Sequence, residues 1–246
     1  MKKLIFLLFI VHFSFAQNAF DKGNQLYKSG NFQEAIINYE SVLAQGQQSS
    51  ELYFNLGNSY YKLSKVAPSI YNYEKALLLN PDDEEIKTNL EFAKKIKIDD
   101  IKEVPKVGFS KLIQNITSSY NYDTWAWISV VFAFVFLAFF IGYYFSKLAV
   151  TKRAFFTGMF FILVLIIISS SAAVSEKSRI ENDKPAIIFS EIALLKSEAR
   201  LSSKTKATLH EGTKVYVLET SANWKKVELT DETTGWIESE AIRELW

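Results

Sequence analysis

Phe20-Asp21-Lys22-Gly23-Asn24-Gln25-Leu26-Tyr27-Lys28 and Phe54-Asn55-Leu56-Gly57-Asn58-Ser59-Tyr60-Tyr61-Lys62 decide how the first third of this chain folds. Laid over one another they share five identities at an offset of 34 residues. The same offset pairs Ile36 with Ile70, Asn38 with Asn72, Tyr39 with Tyr73, Glu40 with Glu74 and Leu43 with Leu77. A period of that length belongs to stacked helix–turn–helix units, each of which buries its apolar face only against its neighbours. Small residues at Gly23, Ala35, Gly57 and Ala76 let paired helices approach closely, and large residues fill the gaps.

The second copy resembles the tetratricopeptide family through Tyr53, Leu56-Gly57, Tyr60, Tyr73, Ala76 and Pro81, and the first through Gly23, Gly30, Phe32, Ala35 and Tyr39. Ser64, Val66 and Ser69 stand where the family usually has Gly, an aromatic residue and Ala, which predicts a less regular inner turn in the second copy. After Pro81, Asp82-Asp83-Glu84-Glu85 puts acids in the first turn of a third helix, where the helix dipole favours them. Ile86, Leu90 and Ala93 give that helix one apolar stripe, and it reads as the cap of a two-repeat array.

Phe20, Asn24, Tyr27 and Lys28 share one helix face by their i, i+4, i+7, i+8 spacing, and Phe54, Asn58, Tyr61 and Lys62 repeat the set. In the tetratricopeptide family this face lines a groove for extended peptides. The resemblance therefore implies a peptide-binding groove: Asn for the peptide backbone, Phe and Tyr as apolar shelves, Lys for a carboxylate. Duplication of a packing unit would preserve the same residues without any ligand.

Toward the N-terminus, Lys2 and Lys3 precede an apolar stretch from Leu4 to Phe15, and Ser14-Phe15-Ala16 sets small residues at −3 and −1 of a cleavage site before Gln17. This reads as a signal peptide, with an uncleaved anchor as the alternative. Toward the C-terminus, Pro105 and Gly108 end the helical array, and Phe109, Leu112, Ile113 and Ile116 recur with the spacing of a short amphipathic helix on the bilayer. Trp125 to Phe145 and Ala154 to Val174 then run without a single charge, each long enough for about 30 Å of hydrocarbon. Lys147, Lys152 and Arg153 crowd the short loop between them, so the loop is expected in the cytoplasm and both flanks outside. Neither span offers a residue for a proton or ion path, and Ser169 and Ala173 form a small-xxx-small pair for helix packing.

From Asp183 the pattern changes to short β-prone runs separated by turns. Leu209-His210-Glu211-Gly212-Thr213-Lys214-Val215, then Trp224, then Gly235-Trp236-Ile237 resemble a bacterial SH3 domain, which implies an all-β barrel. Trp224 and Trp236 are expected in its core and His210 in a turn.

The chain is thus read as multi-domain: a signal peptide (1–16), all-α tetratricopeptide repeats with a capping helix (17–98), a linker and amphipathic segment (99–123), two transmembrane helices (124–145 and 154–174) around a cytoplasmic loop (146–153), a linker (175–182) and an SH3-like domain (183–246). This order of parts is similar to the BatE-type membrane proteins of the Bacteroides-type aerotolerance operon. The resemblance implies other membrane proteins of an aerotolerance system as partners, and an inner-membrane, two-pass protein with both terminal domains periplasmic. A membrane-anchored scaffold and an envelope receptor that takes cell-wall peptide through the SH3-like domain are the two functions in view.

Composition narrows the field further. The 246 residues carry 28 basic and 27 acidic side chains, which gives no electrostatic case for nucleic acid. There is no Cys, and the only His are His12 and His210, so no metal site, cofactor or catalytic residue is expected and the chain does not read as an enzyme.

Overall fold

The computed structural model describes residues 19–102 and 115–245. The signal peptide, and most of the amphipathic segment with Phe109, Leu112 and Ile113, lie outside the described residues.

Five helices open the described chain: α1 (19–28), α2 (Phe32–Ala44), α3 (Ser50–Lys62), α4 (Val66–Leu79) and α5 (Glu84–Lys95). The first four form two helical pairs, and the glycine at the start of each pair is explained by its partner ring. A Cβ on Gly23 would lie 2.5 Å from Tyr39 Cε1, and one on Gly57 would lie 2.6 Å from Tyr73 Cδ1. Both tyrosines are about 1% exposed, so the closest helix approach in each pair is filled by an aromatic ring.

The inner turn of the second pair keeps the geometry of the first, contrary to expectation. Ser64 takes φ +57°, as Gly30 takes +81°. The turn N–H groups donate alike: Gly30 to Tyr27 O and Asn31 to Leu26 O, Ser64 to Tyr61 O and Lys65 to Tyr60 O. The nearby Ser69 is fully buried, and its hydroxyl donates to Gly57 O at 3.0 Å.

Helix α5 starts where its acids predict. Asp83 is the N-cap, and its carboxylate accepts from Glu85 N (3.0 Å) and Ile86 N (3.2 Å). Ile86, Leu90 and Ala93 are buried in one cluster with Tyr53, Ile70, Tyr73 and Ala76.

The C-terminal strands are β1 (Pro185–Ile188), β2 (Ile192–Lys196), β3 (Thr205–His210), β4 (Lys214–Ser221), β5 (Trp224–Leu229), β6 (Thr234–Glu238) and β7 (Ile242–Glu244). They form one antiparallel sheet in the order β3-β2-β6-β5-β4-β1-β7, with β3 and β7 at its two ends. The sheet is not closed by pairing of those ends. Its core holds Leu195, Leu209, Val215, Val217, Val227, Leu229 and Ile237.

Trp224 and Trp236 are outside that core and half-buried. Side chains alternate along a strand, and Val227 and Leu229 on β5, like Gly235 and Ile237 on β6, take the buried face. The two tryptophans fall on the opposite parity. Gly235 is needed where β6 crosses β2, since a Cβ there would lie 2.6 Å from Leu195 Cγ and 2.8 Å from Lys196 O.

Residues 19–102 and 183–245 belong to a single compact unit, and 115–182 belong to a second. All four residues of β1 are buried. Ala186 and Ile188 belong to the sheet core, whereas Ile187 joins the helical cluster around Ile70 and Leu90, together with Leu245. The strand therefore serves two cores with its two faces.

The second unit contains α6 (Tyr122–Phe145) and most of α7 (Ala149–Asp183), both long and apolar enough to cross a membrane. Helix α7 begins inside the expected loop and runs on through 175–182, so the expected linker is helical. The two helices fit through reciprocal glycines. A Cβ on Gly142 would lie 2.6 Å from Phe155 Cζ, and one on Gly158 would lie 2.4 Å from Phe139 Cε1. The Phe139 and Phe155 rings meet edge to face at 5.7 Å. Ser129 and Ser169 hydroxyls are 2.7 Å apart, and Ala173 is only partly covered.

Candidate functional site

The sequence singles out Phe20, Asn24, Tyr27, Lys28, Phe54, Asn58, Tyr61 and Lys62, the first four on α1 and the last four on α3. Lys28 and Lys62 are exposed, and the other six are half-buried. The aromatic members also serve packing. Phe20 meets the Tyr39 ring at 5.8 Å, Phe54 meets Tyr73 at 6.0 Å, and Tyr27 meets Phe32 at 5.3 Å.

Each asparagine is the acceptor of a two-donor ladder. Asn24 Oδ1 accepts from the Tyr39 hydroxyl at 2.8 Å and from Asn55 Nδ2 at 3.0 Å. Asn58 Oδ1 accepts from the Tyr73 hydroxyl at 2.6 Å and from Asn89 Nδ2 at 2.9 Å. Burial and the neighbouring acid or hydroxyl groups push both tyrosine hydroxyls well above the usual tyrosine pKa, so they remain protonated donors. With its oxygen occupied twice, each amide has only its Nδ2 donor left, and neither Nδ2 has a partner among the described residues. A peptide carbonyl or carboxylate fits that donor; a peptide N–H does not.

Asn55 and Asn89 were not among the expected site residues. Their signal was present: Asn55-Leu56 recurs as Asn89-Leu90 at the same offset of 34, so the capping helix α5 supplies the second pair with the same donor that α3 supplies to the first. The ladders also give Asn24 and Asn58 a packing role, because both satisfy buried tyrosine hydroxyls.

A second set of polar residues holds the helices to the sheet. Asp99 Oδ2 accepts from His210 N at 2.7 Å and from the Thr213 hydroxyl at 2.6 Å, while His210 Nδ1 lies 2.7 Å from Asp99 Oδ1. His210 therefore ends β3 as a docking residue and not merely as a turn residue. Burial works to raise the Asp99 pKa, but the hydrogen bonds from Thr213 and His210 outweigh it and leave it below the ordinary carboxylate value. At Glu74 burial acts in the same upward sense, and Lys214 Nζ at 2.7 Å overcomes it, so this carboxyl also ends below its ordinary value. Gly212 lies between them with φ +84°, where a Cβ would meet Val66 Cγ1 at 2.9 Å and Ile70 Cδ1 at 3.0 Å.

Among the described residues no group of three or more His, Asp or Glu side chains is placed to hold a metal ion.

Residues 23–64 match the family model described as TPR repeat, and residues 50–83 match the one described as tetratricopeptide repeat. The chain thus contains TPR repeats over 23–83, a class of module that suggests protein–protein interaction. No curated protein matches the chain.

Proposed function

We propose that the chain is a membrane-anchored scaffold, not an enzyme, which offers a TPR groove and a docked SH3-like module on the outer side of the inner membrane. There it would assemble a complex of the aerotolerance or envelope-stress type. The observation that carries this reading is the insertion of the apolar helix pair into one compact unit. A chain that leaves that unit, passes through two helices and returns to it has both flanks on the same side of a bilayer. The basic residues Lys147, Lys152 and Arg153 between the helices favour the cytoplasm for the loop. Both α6 and α7 keep most of their apolar surface exposed within the chain, which suits lipid contact.

In the groove, the Asn24 and Asn58 amides supply donors, Tyr27 and Tyr61 flank them, and Lys28 and Lys62 favour an acidic partner segment. The test is recovery of partners from detergent-solubilised membranes with the wild-type chain and with Lys28→Gln/Lys62→Gln. Because both lysines are exposed, the fold should survive, and loss of partners from the variant is the expected result. Full retention would remove the groove from the account.

A second reading, an envelope receptor for cell-wall peptide, is favoured by one observation. Trp224 and Trp236 lie on the sheet face away from the core and are half-exposed, as ligand platforms are. Binding of peptidoglycan that disappears in Trp224→Ala/Trp236→Ala would support that reading over the first.

A further inference from the structure

Where the sheet meets α3 and α4, two cations share one group of aromatic rings, and neither is within ion-pairing distance of a carboxylate among the described residues. The Lys75 ammonium stands 5.6 Å from the Tyr53 ring centroid and 5.9 Å from that of Tyr71. The Arg243 guanidinium stands 4.1 Å from the Phe189 centroid and 5.8 Å from that of Tyr71. Tyr71 and Phe189 meet edge to face at 5.6 Å, and the Tyr71 hydroxyl donates to Glu244 O at 3.3 Å.

Two further cations of this junction are neutralised: Lys214 pairs with Glu74 and Lys225 with Glu244. Neither Lys75 nor Arg243 has an ion pair or a hydrogen bond among the described residues. Lys75 is half-buried, and that burial holds its ammonium below the ordinary lysine pKa. A half-buried positive charge without a counter-charge is a standing electrostatic cost, which a docked anion removes. Both cations lie within 6 Å of the same tyrosine ring, so no more than about 12 Å separates them, a span that two carboxylates of one extended acidic segment cover.

The geometry points to a second binding site, formed by Lys75 and Arg243 around Tyr71, for an acidic segment of a partner protein. It uses residues from both the repeats and the sheet, so it exists only when the two are docked. It is distinct from the groove lined by Lys28 and Lys62.

The test uses the full chain in detergent, in a Lys28→Gln/Lys62→Gln background that removes the two groove ammonium groups. The probe is fluorescein-labelled hexaglutamate, with hexaglutamine as control, read by fluorescence anisotropy. Hexaglutamate should bind and hexaglutamine should not, and adding Lys75→Gln/Arg243→Gln should weaken binding at least tenfold. Lys75→Arg/Arg243→Lys should hold it within about threefold. A readout independent of these variants is acetylation of Lys75, followed by mass spectrometry, which hexaglutamate should suppress in the otherwise unaltered chain. Equal binding with and without Lys75 and Arg243, or acetylation of Lys75 unaffected by the probe, overturns the proposal. Binding to phosphatidylglycerol vesicles without binding to hexaglutamate overturns it in favour of a lipid surface.

Discussion

The helical repeats and the C-terminal sheet bury their cores by different means. In the repeats the same contact is made twice: Gly23 on Tyr39 and Gly57 on Tyr73, Asn24 to Tyr39 and Asn58 to Tyr73. In the sheet every contact is made once, and the pairings of β1 with β7 and β2 with β6 join distant segments. Strand β1 then links the two regions, with Ile188 in one core and Ile187 in the other. A repeat array adds stability unit by unit, whereas a sheet of once-made contacts stands or falls together. Their shared strand makes the weaker of the two depend on the stronger.

The largest way to break this comparison is at the shared strand. Ile187 is fully buried, and Ile187→Asp would place an unpaired charge between the helices and the sheet. The loss is expected to be several kcal/mol, comparable with the whole stability of such a domain. Urea unfolding of the full chain in detergent, followed by helical circular dichroism and by tryptophan fluorescence, should show both signals shifting together. A shift in fluorescence alone would mean that the two regions fold separately.

Substitutions inside one repeat come next. Gly57→Ala drives a methyl group into the Tyr73 ring and should cost about 1–3 kcal/mol, the usual range for overpacking. Asn58→Ala leaves the buried Tyr73 hydroxyl without its acceptor, at about 1–3 kcal/mol. The urea midpoint reads both. An unchanged midpoint in Asn58→Ala would show that the ladder has no structural role and return Asn58 to the groove alone.

Acid should loosen the docking of the two regions before it affects the helices. The Asp99 and Glu74 carboxyls lie below their ordinary values of 3.8 and 4.5 in the folded chain. Groups with depressed folded pKa values stabilise fully above their unfolded pKa, and that contribution is lost as pH falls through the folded value. Stability should therefore be flat near neutrality and decline below about pH 4. Glu74→Gln should flatten part of that decline in a urea series at each pH. A decline of undiminished size would take Glu74 out of the docking.

The smallest effect sharpens the likeness between the two repeats. Ser64 holds φ +57° where the first repeat has Gly30, and an L-residue in that region costs about 1–2 kcal/mol. Ser64→Gly should recover up to roughly 1 kcal/mol, set against the greater freedom glycine gives the unfolded chain. A lower melting temperature would mean that the Ser64 side chain does something the backbone does not reveal.

Legibility in the sequence follows the same division. The offset of 34 displays the repeats, their glycine–tyrosine contacts and the apolar stripe of α5, because each depends on residues close in the chain. The strands near Thr213 to Ile237 were also readable, but the parity of Trp224 and Trp236 was not, since large aromatic residues suggest a core that alternation denies them. Pro185-Ala186-Ile187-Ile188 is a short apolar run, the mark of a strand covered on both faces. The run does not say what covers it. Asp99 and His210 stand 111 positions apart, and Glu74 and Lys214 stand 140 apart. No local pattern links residues at such distances, so the docking of sheet on helices, and with it the site around Lys75 and Arg243, was hidden.

The central claim is that residues before and after the apolar hairpin form one folded unit on one side of a membrane. Zero-length carbodiimide cross-linking of the intact chain in membranes tests it most directly, because Glu74 and Lys214 lie 2.7 Å apart on opposite sides of the hairpin in sequence. The account predicts an isopeptide between these two residues, seen by mass spectrometry as a joined peptide pair that disappears in Glu74→Gln. Its absence from membranes in which other carboxylate–lysine pairs of the chain are joined would contradict the account.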